Sequence, residues 1–81
     1  MLITVKRSDI RRGKQSDPEQ CPIALALVRT DSALNGESVS ISDERARIGW
    51  NWYNLPRSAR RFVKRFDSGK KVAPFRFRLS D

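Results

Sequence analysis

The chain contains no histidine and one cysteine, Cys21, among its 81 residues. An intramolecular disulfide is therefore excluded, and a structural zinc site has no ligand set. Catalysis through Cys21 would want a base, and the usual one is missing. A lone thiol at the start of a helix reads as buried or idle, although a helix N-terminus would stabilise a thiolate there. No stretch approaches the roughly 20 apolar residues of a membrane span. The segment "MLITVKRSDI" has no charged lead before a long apolar run, so it does not read as a signal peptide. A cytoplasmic protein is expected, with no membrane partner.

Other kinds of chemical equipment are also scarce. There is no glycine-rich loop to cradle phosphate, and the only adjacent carboxylates, Asp43 and Glu44, fall in an expected turn. General acid–base or metal chemistry would have to be assembled from scattered acids. The reading is therefore no enzyme, no cofactor and no metal. At this length one domain is expected, burying only about 60% or slightly more of its unfolded surface. Such a chain depends on a well-formed core or on self-association, so a homodimer is open.

What the sequence has in excess is positive charge: 17 Lys and Arg against 9 Asp and Glu, a net +8. Its placement is uneven. Residues 1–56 hold eight basic and seven acidic side chains, whereas residues 57–78 hold nine basic ones against Asp67 alone. Charge gathered in one quarter of the chain points to an acidic partner.

The element pattern is legible. "LITVK" (2–6) is β-branched and predicts a strand. "SDIRRGKQ" suits one turn, with Ser8 to cap it and Gly13 to stop it. Pro18 and Pro22 cannot both lie inside one helix. The prediction is a turn over 17–20, then a helix from Pro22 to about Thr30 burying Ile23, Ala24, Leu27 and Val28. Asn35-Gly36 signals a turn. "SVSIS" (38–42) and "RARIGWNWY" (45–53) both alternate and predict a hairpin of two strands. The second would set Ala46, Ile48, Trp50 and Trp52 on one face. Trp50 is expected in the core, while Trp52 and Tyr53 could stack on bases. "APFRFRLS" closes the chain as a strand, with Pro74 at its start.

Between the last two strands, Ala59, Phe62, Val63 and Phe66 fall at i, i+3, i+4 and i+7, one stripe of a helix. Pro56 opens it and Gly69 ends it. The order β-α-β-β-α-β predicts an α+β sandwich: a four-stranded antiparallel sheet with two helices on one face, ferredoxin-like or a looser relative.

The opposite side of that helix carries Arg57, Arg60, Arg61, Lys64 and Arg65, with no acid between them. A solvated helix face ordinarily mixes signs, because opposite charges at i, i+4 help the helix. Lys70, Lys71, Arg76 and Arg78 follow. These nine residues form the predicted partner-binding face, and reversing Arg60, Arg61 and Lys64 should abolish function without unfolding the chain. Three occupants suit it: an acidic protein surface, nucleic acid held by its phosphates, or a nucleotide second messenger held by arginines.

Two segments, "GKQSDPEQCPIALAL" (13–27) and "LPRSARRFVKRFDSGKKVAPFRFRL" (55–79), resemble a family of short, functionally uncharacterised phage and prophage proteins. Its pattern has an "x-Ile-x-x-Gly" turn, then "Cys-Pro-Ile-Ala-Leu-Ala-Leu", then a "Leu-Pro…Phe-Asp-x-Gly…Pro-Phe-x-Phe-x-Leu" tail. Ile10 and Gly13 fit the turn, residues 21–27 match throughout, and Leu55, Pro56, Phe62, Phe66, Asp67, Gly69, Pro74, Phe75, Phe77 and Leu79 fit the tail. The family often has histidine where this chain has Asp9, and isoleucine where it has Val63. The resemblance covers about half the chain and implies a phage origin, but no catalytic residues. Small phage proteins without catalytic equipment are commonly inhibitors that occupy a host-defence complex, as anti-CRISPR proteins do. The five charges of the helix lie outside the family pattern, which marks them as this chain's own specialisation.

Overall fold

The computed structural model describes residues 2–30 and 39–79, so the Asn35-Gly36 turn lies outside the described residues. The elements run β1 (Leu2–Val5), α1 (Arg7–Arg12), α2 (Pro22–Thr30), β2 (Val39–Ile41), β3 (Arg45–Ile48), β4 (Asn51–Asn54), α3 (Arg57–Asp67) and β5 (Phe75–Arg78). They form an α+β structure with two antiparallel sheets. β1 pairs with β5, and β2, β3 and β4 make a three-stranded meander.

This corrects the expected four-stranded sheet. The pairing of the first strand with the last, Ile3 opposite Phe77, is the one a ferredoxin-like order requires, and so is the β2–β3 hairpin. No hydrogen-bonded ladder joins the two among the described residues. Instead α2 packs against β1, α1 and β2. The free edge of β2 receives the 17–20 turn, with the Ile41 N–H donating to the Pro18 carbonyl at 2.9 Å.

The 45–53 run is the second correction. It is two short strands, folded back with Ile48 opposite Asn51. Gly49 takes φ of 61° at the first position of the two-residue turn, where a tight hairpin favours glycine. The fold-back puts Trp50 at the tip, 97% exposed, instead of in the core. Trp52 is also exposed, beside Arg47 on the outer face, while Tyr53 opposes Ala46 and packs against the core.

Ile3, Val5, Ile23, Leu27, Leu55 and Phe77 are all buried in one cluster, with Val39, Ile41, Ala46 and Ile48 contributed by the meander. The expected face of α2 is shifted: Ala26 is buried and Val28 exposed. Cys21 caps this helix, its Sγ accepting from the Ala24 N–H at 3.5 Å. Burial pushes the thiol above its ordinary value of 9.0, outweighing the backbone N–H groups of Ala24 and Ile23 that favour the thiolate.

α1 is a full six-residue helix, and Lys6 stands at its N-cap, where Ser8 was expected. Its buried Asp9 accepts from the Lys6 N–H at 2.8 Å. Arg29 of α2 pairs with the same carboxylate at 2.6 Å and donates to the Thr4 carbonyl at 2.8 Å. One side chain thus ties β1, α1 and α2 together.

Candidate binding face on α3

The stripe Ala59, Phe62 and Val63 is buried as its spacing predicts, with Phe66 partly so. Phe62 stacks on Phe75 of β5 with ring centroids 4.7 Å apart, and Phe75 on Phe77 at 5.4 Å. The chain of rings fixes how α3 rotates against β5, and so which side chains face water. The helix ends at Gly69: the Gly69 N–H donates to the Phe66 carbonyl at 3.0 Å and the Lys70 N–H to the Arg65 carbonyl at 2.9 Å. Asp67, the last residue of α3, is occupied elsewhere, accepting from the Ser16 N–H at 2.9 Å.

Arg57, Arg60, Arg61, Lys64 and Arg65 are all exposed. At 100° per residue they occupy an arc opposite the core stripe. None forms an ion pair with a carboxylate among the described residues. Two are partly engaged with backbone. Arg60 Nε–H donates to the Leu55 carbonyl at 2.9 Å, folding this side chain over the start of α3. Arg65 donates to the Lys71 carbonyl at 3.3 Å, holding the chain after the helix against it. Among the described residues, Arg57, Arg61 and Lys64 are the cations of the stripe with no hydrogen bond or ion pair.

The two sides of this stripe differ. On one lies the β2–β3 turn, built on Ser42, whose Oγ accepts from the Arg45 N–H at 3.0 Å. The Leu55 N–H donates to the Glu44 carbonyl at 2.9 Å, which fixes the turn beside the first residues of α3. Asp43 and Glu44 therefore line one hollow with Arg57, Arg60, Arg61 and Lys64. On the other side is a groove of about 520 Å³ floored by Phe62, Val72, Ala73 and Phe75. Its rim carries Arg61, Arg65 and Lys71.

The remaining basic residues are distributed elsewhere. Arg76 lines a separate hollow with Lys6 and Arg7. Arg78 is exposed on β5, and Lys70 is exposed just past the helix end. Trp52 shares a hollow with Asp43, Glu44 and Arg45. The acidic flank has no local signal in the sequence, since Asp43 and Glu44 lie more than ten residues before α3 and reach it through the β3–β4 pairing, Arg45 opposite Asn54, and the Leu55–Glu44 hydrogen bond that extends it.

Among the described residues no group of three His, Cys, Asp or Glu is placed to hold a metal ion. No helix there is long and apolar enough to cross a membrane. Comparison of the chain with protein-family models, curated proteins and solved structures gave no match.

Proposed function

We propose that this chain is a non-catalytic binding protein of the phage host-defence-inhibitor type, docking the basic stripe of α3 on an acidic protein surface. The observation that carries this is the pattern of the face: cations at Arg57, Arg61 and Lys64 that are unpaired among the described residues, bounded by Asp43 and Glu44. A nucleic-acid backbone is uniformly negative, and phosphates following the stripe would meet two carboxylates at its edge. Trp52, the exposed candidate for base stacking, stands beside the same two acids. A protein surface can present negative groups to the cations and a donor or cation to Asp43 and Glu44. Such complementarity sets orientation and association rate more than raw affinity. The phage-type part of the reading rests on the segments 13–27 and 55–79, and host-defence inhibition is its anti-CRISPR-like form.

The test pairs two measurements. Labelled duplex DNA, single-stranded DNA and RNA are titrated with the protein, reading anisotropy across salt concentrations. The expected result is no retention at about 150 mM salt; clear binding there with a log–log slope near −3 to −5 would make the chain a nucleic-acid binder and overturn the reading. In parallel, a plasmid-interference assay is run in cells carrying CRISPR systems of several types. Protection of the targeted plasmid by the wild type, lost in the Arg57→Glu, Arg61→Glu, Lys64→Glu variant, is expected. Protection that survives the triple reversal would remove the α3 stripe from the mechanism.

A further inference from the structure

The groove beside α3 differs from the charged stripe in kind. Its floor is carbon, from Phe62, Val72, Ala73 and Phe75, while its rim is cationic. We infer that it is an anchor site for a bulky apolar side chain, aromatic or long aliphatic, carried within an acidic segment of the partner protein. This rests on the proposed docking of α3 on an acidic protein and specifies what that partner presents.

A ligand that fills this groove must be apolar where it meets the floor and negative where it passes Arg61, Arg65 and Lys71. The acidic flank lies on the other side of the stripe, so a negative segment is directed away from Asp43 and Glu44 and toward the groove. A volume of about 520 Å³ exceeds that of a single large side chain, leaving room for the backbone on either side of it. A base with its phosphate fits less well. Phe62 and Phe75 present their faces to each other at 4.7 Å, and Ser58 is the one hydroxyl in the lining that could read a base edge. The wall is also held in shape before any ligand arrives, because Arg65 binds the Lys71 carbonyl at 3.3 Å. A site formed in advance loses less freedom on binding. An apolar anchor in a desolvated pocket with charges around it is where interface energy concentrates.

The experiment titrates the isotope-labelled full chain, followed by amide NMR, with two synthetic peptides. One has a central phenylalanine between acidic triplets, and the other has alanine in its place. The phenylalanine peptide should bind about tenfold more tightly, equivalent to about 1.4 kcal/mol. The largest shifts should fall at Val72, Ala73 and Phe75. Ala73 is exposed, so Ala73→Trp fills the groove without disturbing the core. In that variant the preference should vanish while the weak, salt-sensitive binding of the alanine peptide persists. Equal affinity for the two peptides in the wild type overturns the anchor site and leaves charge docking standing. A preference that survives Ala73→Trp overturns it too. Binding of neither peptide overturns it as well, and if oligothymidylate shifts the α3 amides instead, the acidic-protein reading falls with it.

Discussion

Replacing Gly13 with alanine should destabilise the fold for a steric reason. Gly13 has φ of −70°, a conformation open to any residue. A Cβ there would lie 2.6 Å from Cδ and 2.7 Å from Cγ of Pro22, well inside the roughly 3.5–4.0 Å at which carbon atoms attract. The proline cannot give, since its ring is fully buried at the start of α2. Gly13 is held as well, with its own N–H on the Asp9 carbonyl at 2.8 Å and the Lys14 N–H on that of Gln20 at 2.9 Å. Overpacking of this kind costs about 1–3 kcal/mol. Loss of one backbone hydrogen bond adds about 1 kcal/mol. Alanine stiffens the unfolded chain and so returns about 0.4–1 kcal/mol in the opposite direction. The net loss expected is about 1.5–3 kcal/mol, against a total near 4–12 kcal/mol for a chain of this length. Urea denaturation should show a lower midpoint at unchanged slope, and heating a Tm lower by roughly 6–20 °C. Placing the same change in a Pro22→Ala background should recover at least about 0.5 kcal/mol of it. A Tm within about 2 °C of wild type, or strict additivity with Pro22→Ala, would refute the contact.

Four further outcomes are expected. Phe62→Ala should cost about 3–5 kcal/mol, while Phe66→Ala, at a half-buried ring, should cost about half as much in the same urea titration. Asp9→Asn should lose about 1–2 kcal/mol, because Arg29 keeps 38% of its side chain in water and part of the pairing is already solvated. Trp50→Ala should leave stability within about 0.5 kcal/mol and remove a water-like component from the tryptophan emission; a large loss would restore the unbroken 45–53 strand. Cys21 holds its proton more tightly folded than unfolded, so the folded state binds more protons once pH passes the thiol's ordinary value of 9.0. Its contribution is complete below that pH and is lost as pH climbs toward the raised folded value. Wild-type stability should therefore fall relative to Cys21→Ala above about pH 9, and reaction with a thiol reagent should wait on unfolding.

The parts of the fold legible in the sequence were those decided by local periodicity or by a single stiff residue. Phe62, Val63 and Ala59 mark α3 because a helical stripe has few alternatives, and Pro22 marks α2 because an interior proline is excluded. The failures occurred where periodicity was consistent with two folds. Alternation through "RARIGWNWY" is the same whether the run is one strand or two, and the decision lay with Gly49, whose positive φ folds Trp50 outward. A glycine between two alternating runs is a turn signal as well as a strand residue. Sheet order was decided by tertiary contacts that leave no trace in the sequence, such as Pro18 on the edge of β2. For the binding face, the cations were legible but their surroundings were not. Nothing local links Arg76 to Lys6, or Glu44 to Arg60.

The electrostatics of α3 itself bear on whether its charge serves the fold. Arg57 with Arg61, Arg60 with Lys64, and Arg61 with Arg65 are like-charge pairs at i, i+4, each unfavourable by about 0.2–0.5 kcal/mol. The first turn holds no acid, and Arg57 there opposes the helix dipole. Lys64 and Arg65 in the last turn favour the dipole, offsetting about 0.3–1 kcal/mol each at best. Asp43 and Glu44 sit near enough to temper the repulsion, but none of the five cations makes an ion pair with either. The stripe is thus close to neutral for stability, and its fold-level requirement is met by Phe62, Val63 and Ala59 alone. Glutamate at Arg61 and Lys64 would relieve all three like-charge pairs and make each of them, 57 with 61, 60 with 64 and 61 with 65, a pair of opposite sign, against a new acid in the last turn. The Arg61→Glu, Lys64→Glu variant should therefore melt at or slightly above the wild-type Tm, with binding lost. A variant that melts well below wild type would show the cations to be structural, and would remove the main physical reason for assigning them to a partner.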